Sequence, residues 1–349
     1  MKIRTLLIDS SYLLQRSFHG AKDTYTQEFG HCGALYQFLT TTRKLVKDHM
    51  INRVVLVWDG EGGGLARHNI DADYKANRKS KEWHKRIEMS QAEIDRENDK
   101  KESILKQRLR VQAYAEDLFL RQIEVPDIEA DDLIAEYCVS HNNTEEIFIY
   151  SKDKDFFQLL DLNITILYPS VDTPINKGNF FFIFGYHYAN ALPIKIICGD
   201  TADNIKGIKG IGEDILLKYF PDMKYKSFTV REICAKADEI NKGRLINKEK
   251  PLKALENLLN GVDRLVMNYK LTNLRKPFLN KQAREALLDL ELPLSPVKRG
   301  SKNLQDMMRQ DGFLSIYKGT FVNYVSPFYV VIQCEKERLE AYERNNKNK

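Results

Sequence analysis

Three apolar runs of this chain lead into aspartate, and that recurrence restricts the fold more than any other feature. Leu6-Leu7-Ile8 runs into Asp9 and Val54-Val55-Leu56-Val57-Trp58 into Asp59. Glu146-Ile147-Phe148-Ile149-Tyr150 runs into Ser151-Lys152-Asp153-Lys154-Asp155. Continuous apolar runs without polar alternation read as parallel strands buried on both faces. Helical patterns separate them: Leu13, Leu14 and Phe18 after the first run, then Leu35, Phe38, Leu39, Leu45 and Val46 within residues 33–50. Strand, helix and strand in that order predict a βαβ start and an α/β fold with a parallel sheet. Such sheets place ligands beyond the carboxyl ends of their strands, where these aspartates stand. A single strand-terminal Asp suits a helix N-cap; the repetition points to a shared site.

A fourth acidic stretch, Glu129-Ala130-Asp131-Asp132, precedes the apolar Leu133-Ile134-Ala135. Carboxylates this close repel, and solvent, a basic side chain or a divalent metal must offset them. They also suit the N-terminus of a helix, where the dipole favours negative charge. In extended chain Asp153 and Asp155 would point to one side. Phe156-Phe157-Gln158-Leu159-Leu160 reads as helix, and Ile164-Thr165-Ile166-Leu167-Tyr168 as a further strand.

Two other stretches carry cations. Residues 67–121 mix both charges densely, as solvated helices do, and include Lys75, Arg78, Lys85, Arg86, Arg96, Lys100, Lys101, Arg108 and Arg110. Lys75 and Arg78 stand three apart and share a helical face if that turn is helical; such a segment suits a phosphate backbone. Residues 199–212, Gly199-Asp200-Thr201-Ala202-Asp203-Asn204-Ile205-Lys206-Gly207-Ile208-Lys209-Gly210-Ile211-Gly212, place two acids at an expected helix start. Glycines 207, 210 and 212 then free the backbone for a hairpin with positive φ. With Lys206 and Lys209 its N–H groups suit phosphates without reading bases.

At 349 residues the chain predicts about two domains. No apolar run approaches the ~20 residues of a membrane span, and the start of the chain has no secretory-signal pattern. The five cysteines, Cys32, Cys138, Cys198, Cys234 and Cys334, form no CxxC pair, which fits a reducing cytoplasm. The net charge of +5 permits a nucleic-acid partner without requiring one.

Taken together, these motifs resemble the 5′ nuclease or flap endonuclease family. That family includes bacteriophage 5′-3′ exonucleases of the replication or RNase H type and the N-terminal nuclease domain of bacterial DNA polymerase I. The resemblance rests on Ile8-Asp9-Ser10-Ser11-Tyr12-Leu13 with Arg16 and His19, on Trp58-Asp59-Gly60, and on Tyr74-Lys75-Ala76-Asn77-Arg78. It continues through Glu129 to Ile134, Ser151 to Asp155 and Gly199 to Gly212. It is firm over residues 3–220 and extends to about 290 by implication. It implies a PIN-like parallel sheet flanked by helices within residues 1–198, with a helical arch over about 79–110. A helix-hairpin-helix (H3TH) module would occupy 199–290, and 291–349 would be an extension without a functional reading.

The resemblance also implies two Mg²⁺ ions, with Mn²⁺ as a substitute. Asp9, Asp59, Asp131 and Asp153 would hold the first, with Glu129 and Asp132 nearby; Asp155, Asp200 and Asp203 would hold the second. Such oxygen donors from several strand ends are what Mg²⁺ prefers. Lys75 and Arg78 would stabilise charge on the scissile phosphate and Tyr74 would stack on or pack near a base, with Arg16 as a further DNA contact. Lys206, Gly207, Lys209, Gly210 and Gly212 would grip the duplex, and their carbonyls would be a site for K⁺. The implied activity is 5′-3′ exonuclease and 5′-flap endonuclease, on DNA flaps, nicks and 5′ ends and on RNA–DNA duplex, by a cytoplasmic monomer. Replication proteins are candidate partners. The chain departs from the family pattern at Ser10 and Lys152, where Gly is usual, and at Lys206 and Lys209, where Pro is common. None removes an acid.

Two other readings stand beside this one: a PIN-type ribonuclease, usually shorter and without the arch and hairpin, and a non-catalytic binder of DNA structure, expected to have lost acids. A haloacid-type phosphatase needs a second Asp where Ser11 stands. Farther on, Leu252, Leu255, Leu258, Leu259, Val262, Leu265 and Val266 predict helices, Pro293 and Pro296 a boundary, and Phe321–Val325 and Phe328–Ile332 two strands before a polar helix or tail.

Overall fold

The computed structural model describes residues 2–21, 23–295 and 299–347, apart from the side chains of 78, 79, 81, 82, 84 and 347. Chain order begins β1 (Ile3–Asp9), α1 (Ser10–Gly20), a short ribbon of β2 (Tyr25–Thr26) and β3 (Gly30–His31), α2 (Gly33–Asp48) and β4 (Arg53–Trp58). Then come α3 (Leu65–Ile70), α4 (Ala76–Glu88), α5 (Gln91–Asp117), β5 (Arg121–Glu124), α6 (Ala130–His141) and β6 (Glu145–Tyr150). A 3₁₀ helix (Lys154–Leu162) leads to β7 (Ile164–Leu167). The five-stranded sheet has the order β5-β4-β1-β6-β7, with every pair parallel. This is the expected α/β architecture, a parallel sheet flanked by helices.

Alternation along the strands divides the core. Leu7, Val55, Val57, Ile147 and Ile149 face one apolar cluster. Leu6, Ile8, Val54, Leu56, Trp58, Phe148 and Tyr150 face the other. A strand buried on both faces has no polar side to show, hence the unbroken apolar runs. β5 was not foreseen: Arg121-Gln122-Ile123-Glu124 lies in a stretch that reads as helix followed by a break.

The first cluster continues into α7 (Phe180–Phe184), α8 (Ala191–Cys198) and α9 (Glu213–Tyr219); between α8 and α9 runs the ribbon of β8 (Gly199–Asp200) and β9 (Ile205–Lys206), whose Ile205 packs on Tyr74 and Leu271. The first cluster also takes in α10 (Val230–Ile246), α11 (Lys253–Asn260), α12 (Val262–Thr272) and α13 (Lys281–Asp289). Leu255, Leu258 and Leu265 are buried as the pattern predicts, whereas Val262 and Val266 are exposed.

The second cluster is covered by α1, α2, the base of α5 and the chain's end, where the strand expectation fails. Residues 321–325 and 328–332 belong to helices and a 3₁₀ turn: α14 (Ser301–Gln310), α15 (Phe313–Tyr317), α16 (Phe321–Val325), Ser326–Phe328 and α17 (Tyr329–Lys347). Tyr324, Val325, Phe328 and Val331 are fully buried at helical spacing. Short apolar runs rich in aromatic and β-branched residues fit a buried helix as well as a strand, and here docking decides. Buried charges seal this wrap: Arg121 donates to Glu335 (2.9 Å from Nε) and to the Leu290 and Leu292 carbonyls, and Asp311 accepts from Arg110 and Tyr114 of α5. Pro296, named in the expected boundary, lies outside the described residues.

Candidate active site

The acids gather at the carboxyl edge of the sheet because each strand end or helix start there needs a cap. Asp9 ends β1 and caps α1, accepting the Tyr12 amide at 3.0 Å, while Ser151 donates to its other oxygen at 2.9 Å. Asp59 follows β4, donates its own amide to Ser11 and accepts the Ala130 amide at 2.9 Å, so it caps α6. Asp153 caps the 3₁₀ helix and accepts the Asp155 amide at 2.7 Å. Asp153 keeps extended backbone, but the 3₁₀ helix begins at Lys154, so Asp153 and Asp155 do not lie in one extended stretch. Asp153 lines two adjoining cavities and Asp155 only the second. The N-cap reading and the shared-site reading are therefore both met by the same residues.

One cavity is lined by Asp9, Asp59, Glu129, Asp131, Asp153, Asp203 and Lys75. The second is lined by Asp153, Asp155, Asp200, Asp203 and Lys195. Burial, then Asp59 and Asp153, push Asp9 up to about 7 against the Tyr12 amide and Ser151. Burial, then Asp153 and Asp9, raise Asp131 well above the carboxylate range. Burial, then Asp153, raises Asp155 to about 7 despite Lys195. Among the described residues no three His, Cys, Asp or Glu side chains are gathered around one point as a finished metal site. The acids line an open basin, with a repulsion that a divalent cation relieves. That donor set fits Mg²⁺, which takes oxygen ligands and keeps several waters.

Two expected ligands, Asp132 and Glu129, have other duties. Both Asp132 oxygens accept from Arg67, at 2.6 and 2.9 Å, and one also accepts the Phe278 amide at 3.1 Å. Asp132 is 1% exposed and does not line the basin; its place is structural, a correction to the metal assignment. Glu129 lines the basin but also accepts from Arg67 at 2.6 Å and from the Lys75 ammonium. Burial alone would raise it, but Lys75 and Arg67 outweigh burial and hold it low. Asp200 and Asp203 do not start a helix. Asp200 ends β8 and Asp203 lies within the turn that leads to β9, and Asp200 accepts the Ala202 amide at 2.7 Å.

The expected DNA contacts also divide. Lys75 precedes α4 in the left-handed region (φ 54°), and its ammonium reaches into the acidic basin at Glu129. Arg78 lies on α4, and its side chain is outside the described residues. Tyr74 is 4% exposed, with its hydroxyl 3.2 Å from Glu129 and its ring against Ile205 and Leu271, so it offers no face to a base. Arg16 donates to the Tyr150 hydroxyl and lines a different cavity with Lys44 and Asp172. In the hairpin only Gly210 of the three named glycines has positive φ. Gly207 is required for another reason: a Cβ there would lie 2.0 Å from the Cys198 carbonyl oxygen. A Cβ at Gly212 would meet nothing within 4 Å. Ile208 and Ile211 anchor the loop in the core, leaving Lys206 and Lys209 exposed. Ser10 is buried as the first residue of α1, and Lys152 is exposed at the basin's rim, so neither departure disturbs the acids.

Sequence reasoning missed Arg67 and Lys195. Arg67 was hidden in a segment dense with ordinary surface charge. Lys195 stood out as the one cation in Ala191-Leu192-Pro193-Ile194-Lys195-Ile196-Ile197, and a lysine inside an apolar run is buried only with a partner. Its ammonium contacts Asp155 and lies 2.8 Å from Asp200. Helix α4 follows Lys75 directly and is separated from α5 by a break at Met89-Ser90, where Glu93 accepts from the Ser90 amide at 2.8 Å and hydroxyl at 2.7 Å. Lys85 and Glu97 link the two helices at 2.8 Å.

The sequence model of the 5′-3′ exonuclease N-terminal resolvase-like domain matches residues 4–183. A 5′-3′ exonuclease of Mycoplasmopsis pulmonis is 30% identical over 209 residues, 60% of this chain and 63% of that protein. The thermostable DNA polymerase I of Thermus aquaticus is 28% identical over 213 residues, 61% of this chain and 23% of the polymerase. In structure the chain is similar to the bacteriophage T5 5′-exonuclease with divalent zinc ions bound, at 17% identity and TM-score 0.60, covering 90% of this chain and 99% of that one. A T5 flap endonuclease in a product-type complex with DNA and metal ions gives TM-score 0.60 at 16% identity, covering 90% of this chain and all of that one. These structural likenesses carry the fold. With residues 4–183 of its 349 inside the domain match, the chain belongs to the 5′-3′ exonuclease family.

Proposed function

We propose that this protein is a structure-specific 5′-3′ exonuclease and 5′-flap endonuclease that hydrolyses phosphodiester bonds of DNA, and of RNA in RNA–DNA duplex. The observation that carries the reading is the pair of acidic cavities that share Asp153 and Asp203, with Lys75 lining the one that holds Asp9, Asp59 and Asp131. Asp9, Asp59, Asp131 and Asp153 would hold one Mg²⁺, with Glu129 beside them, and Asp155, Asp200 and Asp203 a second. Two such ions would supply an activated water and charge stabilisation for the departing oxygen. Lys75, released from Glu129 by an incoming phosphate, stabilises charge on the transferred group, and Arg78 is assigned the same role. Residues 199–290 are the DNA-gripping unit: Lys206, Lys209 and the amides around Gly207, Gly210 and Gly212 hold backbone phosphates, with K⁺ at the hairpin carbonyls. Helices α4 and α5 form the arch, which admits a single strand and so selects free 5′ ends. A non-catalytic binder would have no need to keep the whole basin.

The test uses labelled 5′-flap DNA, 3′-flap DNA and unstructured RNA, each with Mg²⁺ and with EDTA. Mg²⁺-dependent cutting confined to 5′ flaps and 5′ ends, lost in Asp153→Asn while flap binding persists, supports the reading. Cutting of the RNA alone favours a ribonuclease, and flap binding without cleavage in Mg²⁺ or Mn²⁺ leaves a structural binder.

A further inference from the structure

The root of the arch is stitched to the loop that carries Asp200 and Asp203. The Lys75 amide donates to the Asp203 carbonyl at 2.8 Å. The Asn77 side-chain amide donates to the Thr201 carbonyl at 3.0 Å, and the Asn204 amide donates back to the Asp73 carbonyl at 2.7 Å. Lys206 lies 3.0 Å from the Asp73 carboxylate. Two of these residues, Lys75 (φ 54°) and Asn204 (φ 58°), hold left-handed backbone. Asparagine adopts that conformation readily, whereas lysine does so at a cost of about 1–2 kcal/mol. A strained backbone at a functional residue persists only where its surroundings hold it, and here the holding contacts are this stitch. Lys75 is thereby fixed at two points, its amide on Asp203 and its ammonium on Glu129.

We infer that Asn77 and Asn204 are positioning residues that set Lys75 against the acidic basin by tying the arch root to the 200–206 loop. The inference rests on the nuclease reading above. Asn204 is suited to its post twice over, since it tolerates the backbone angle and its amide reaches Asp73. Asn77 ties from the arch side, one residue into α4. Exposed cations on the same loop, such as Lys206, would pass duplex binding through this stitch to Lys75.

Asn77→Ala and Asn204→Gly each remove one tie, Asn204→Gly without forbidding the positive φ. In metal-free protein, hydrogen exchange of the peptide containing the Lys75 amide should speed up about tenfold or more in either variant, with exchange in β1 unchanged. With Mg²⁺ and a 5′ flap, single-turnover cleavage should fall about 10- to 100-fold, while flap affinity in Ca²⁺ stays within about twofold. In a Lys75→Ala background the same substitutions should add nothing, because they act through Lys75. Unchanged exchange around Lys75, or losses that multiply with Lys75→Ala, would overturn the inference. If Asn204→Gly does not fold, Asn77→Ala decides by the same cycle. A wild-type protein that does not cut the flap overturns the nuclease reading instead, and the exchange result still tests the stitch.

Discussion

The Lys195 ammonium lies 2.8 Å from the Asp200 carboxylate and also contacts Asp155. Burial opposes its charge, but Asp155, Asp153 and Asp200 outweigh burial and keep it protonated. A buried cation therefore stands where the proposed second ion would sit. Lys195→Met leaves Asp155 and Asp200 facing each other without compensation, which should cost several kcal/mol in EDTA. An ion that binds only the folded state returns stability by mass action. Mg²⁺ should then raise the Tm of Lys195→Met by more than it raises that of the wild type. Equal rises in calorimetric scans would show that the lysine and the ion do not share the place.

Arg67 and Asp132 supply the second prediction. Arg67 is buried, bound to Asp132 through two nitrogens, to Glu129 and to the Leu271 carbonyl at 2.9 Å. Arg67→Met strands two buried carboxylates and should cost about 3–5 kcal/mol in urea unfolding. Arg67→Lys keeps the charge but not the fork, so it should recover only part of this. Asp132→Asn should lower stability while kcat per folded molecule stays within about twofold, since Asp132 faces Arg67 and not the basin. A collapse of kcat in well-folded Asp132→Asn would return that residue to the metal site.

The parts of this fold legible in the sequence are those fixed by local patterns. Strands β1, β4 and β6 stood out because each is buried on both faces and has an aspartate at or within three residues of its carboxyl end. β5 was hidden because Arg121 pairs with Glu335, a partner no local pattern can name. The final helices were hidden because Phe321-Val322-Asn323-Tyr324-Val325 suits either element until it docks on α2. At the site, the strand-end acids were legible from residue type and position, and Lys75 from the resemblance; the structure sets Asp9, Asp59, Glu129, Asp131, Asp153, Asp203 and Lys75 around one cavity and Asp155 and Asp200, with Asp153 and Asp203, around a second. Their duties were not legible. Tyr74, Arg16 and Asp132 each turn toward a long-range partner, respectively Glu129, Tyr150 and Arg67.

The third prediction concerns the chain's end. Leu304, Met308, Phe313, Tyr324, Phe328 and Val331 are all buried against the second cluster. Each contributes about 1.5–3 kcal/mol by leaving water. A chain truncated after residue 298 should expose that face and aggregate or bind a hydrophobic dye. Glu335→Ala should cost about 3–5 kcal/mol by stranding Arg121. A truncated chain that stays monomeric and as stable as the full one would mean that the wrap is dispensable.

A pH effect should arise far from the basin, where His141 Nε2 lies 3.0 Å from Glu291 and Nδ1 lies 2.9 Å from the Tyr137 carbonyl. The hydrogen bond to Glu291 raises His141 above its ordinary 6.5 against burial. The same bond, with Arg53 helping, lowers Glu291 to about 2. The histidine's contribution is fully present below 6.5 and fades as pH rises through its raised folded value. The carboxylate's contribution is present above its ordinary 4.5 and fades as pH falls toward about 2. The pair thus stabilises most between pH 4.5 and 6.5. Glu291 is 42% exposed, so solvent screening keeps the effect below about 1 kcal/mol. His141→Gln should accordingly be less stable than wild type near pH 5.5, by a margin that shrinks toward pH 9. Urea midpoints across that range test this. A margin that is constant or grows with pH would mean that the imidazolium form does not stabilise the fold.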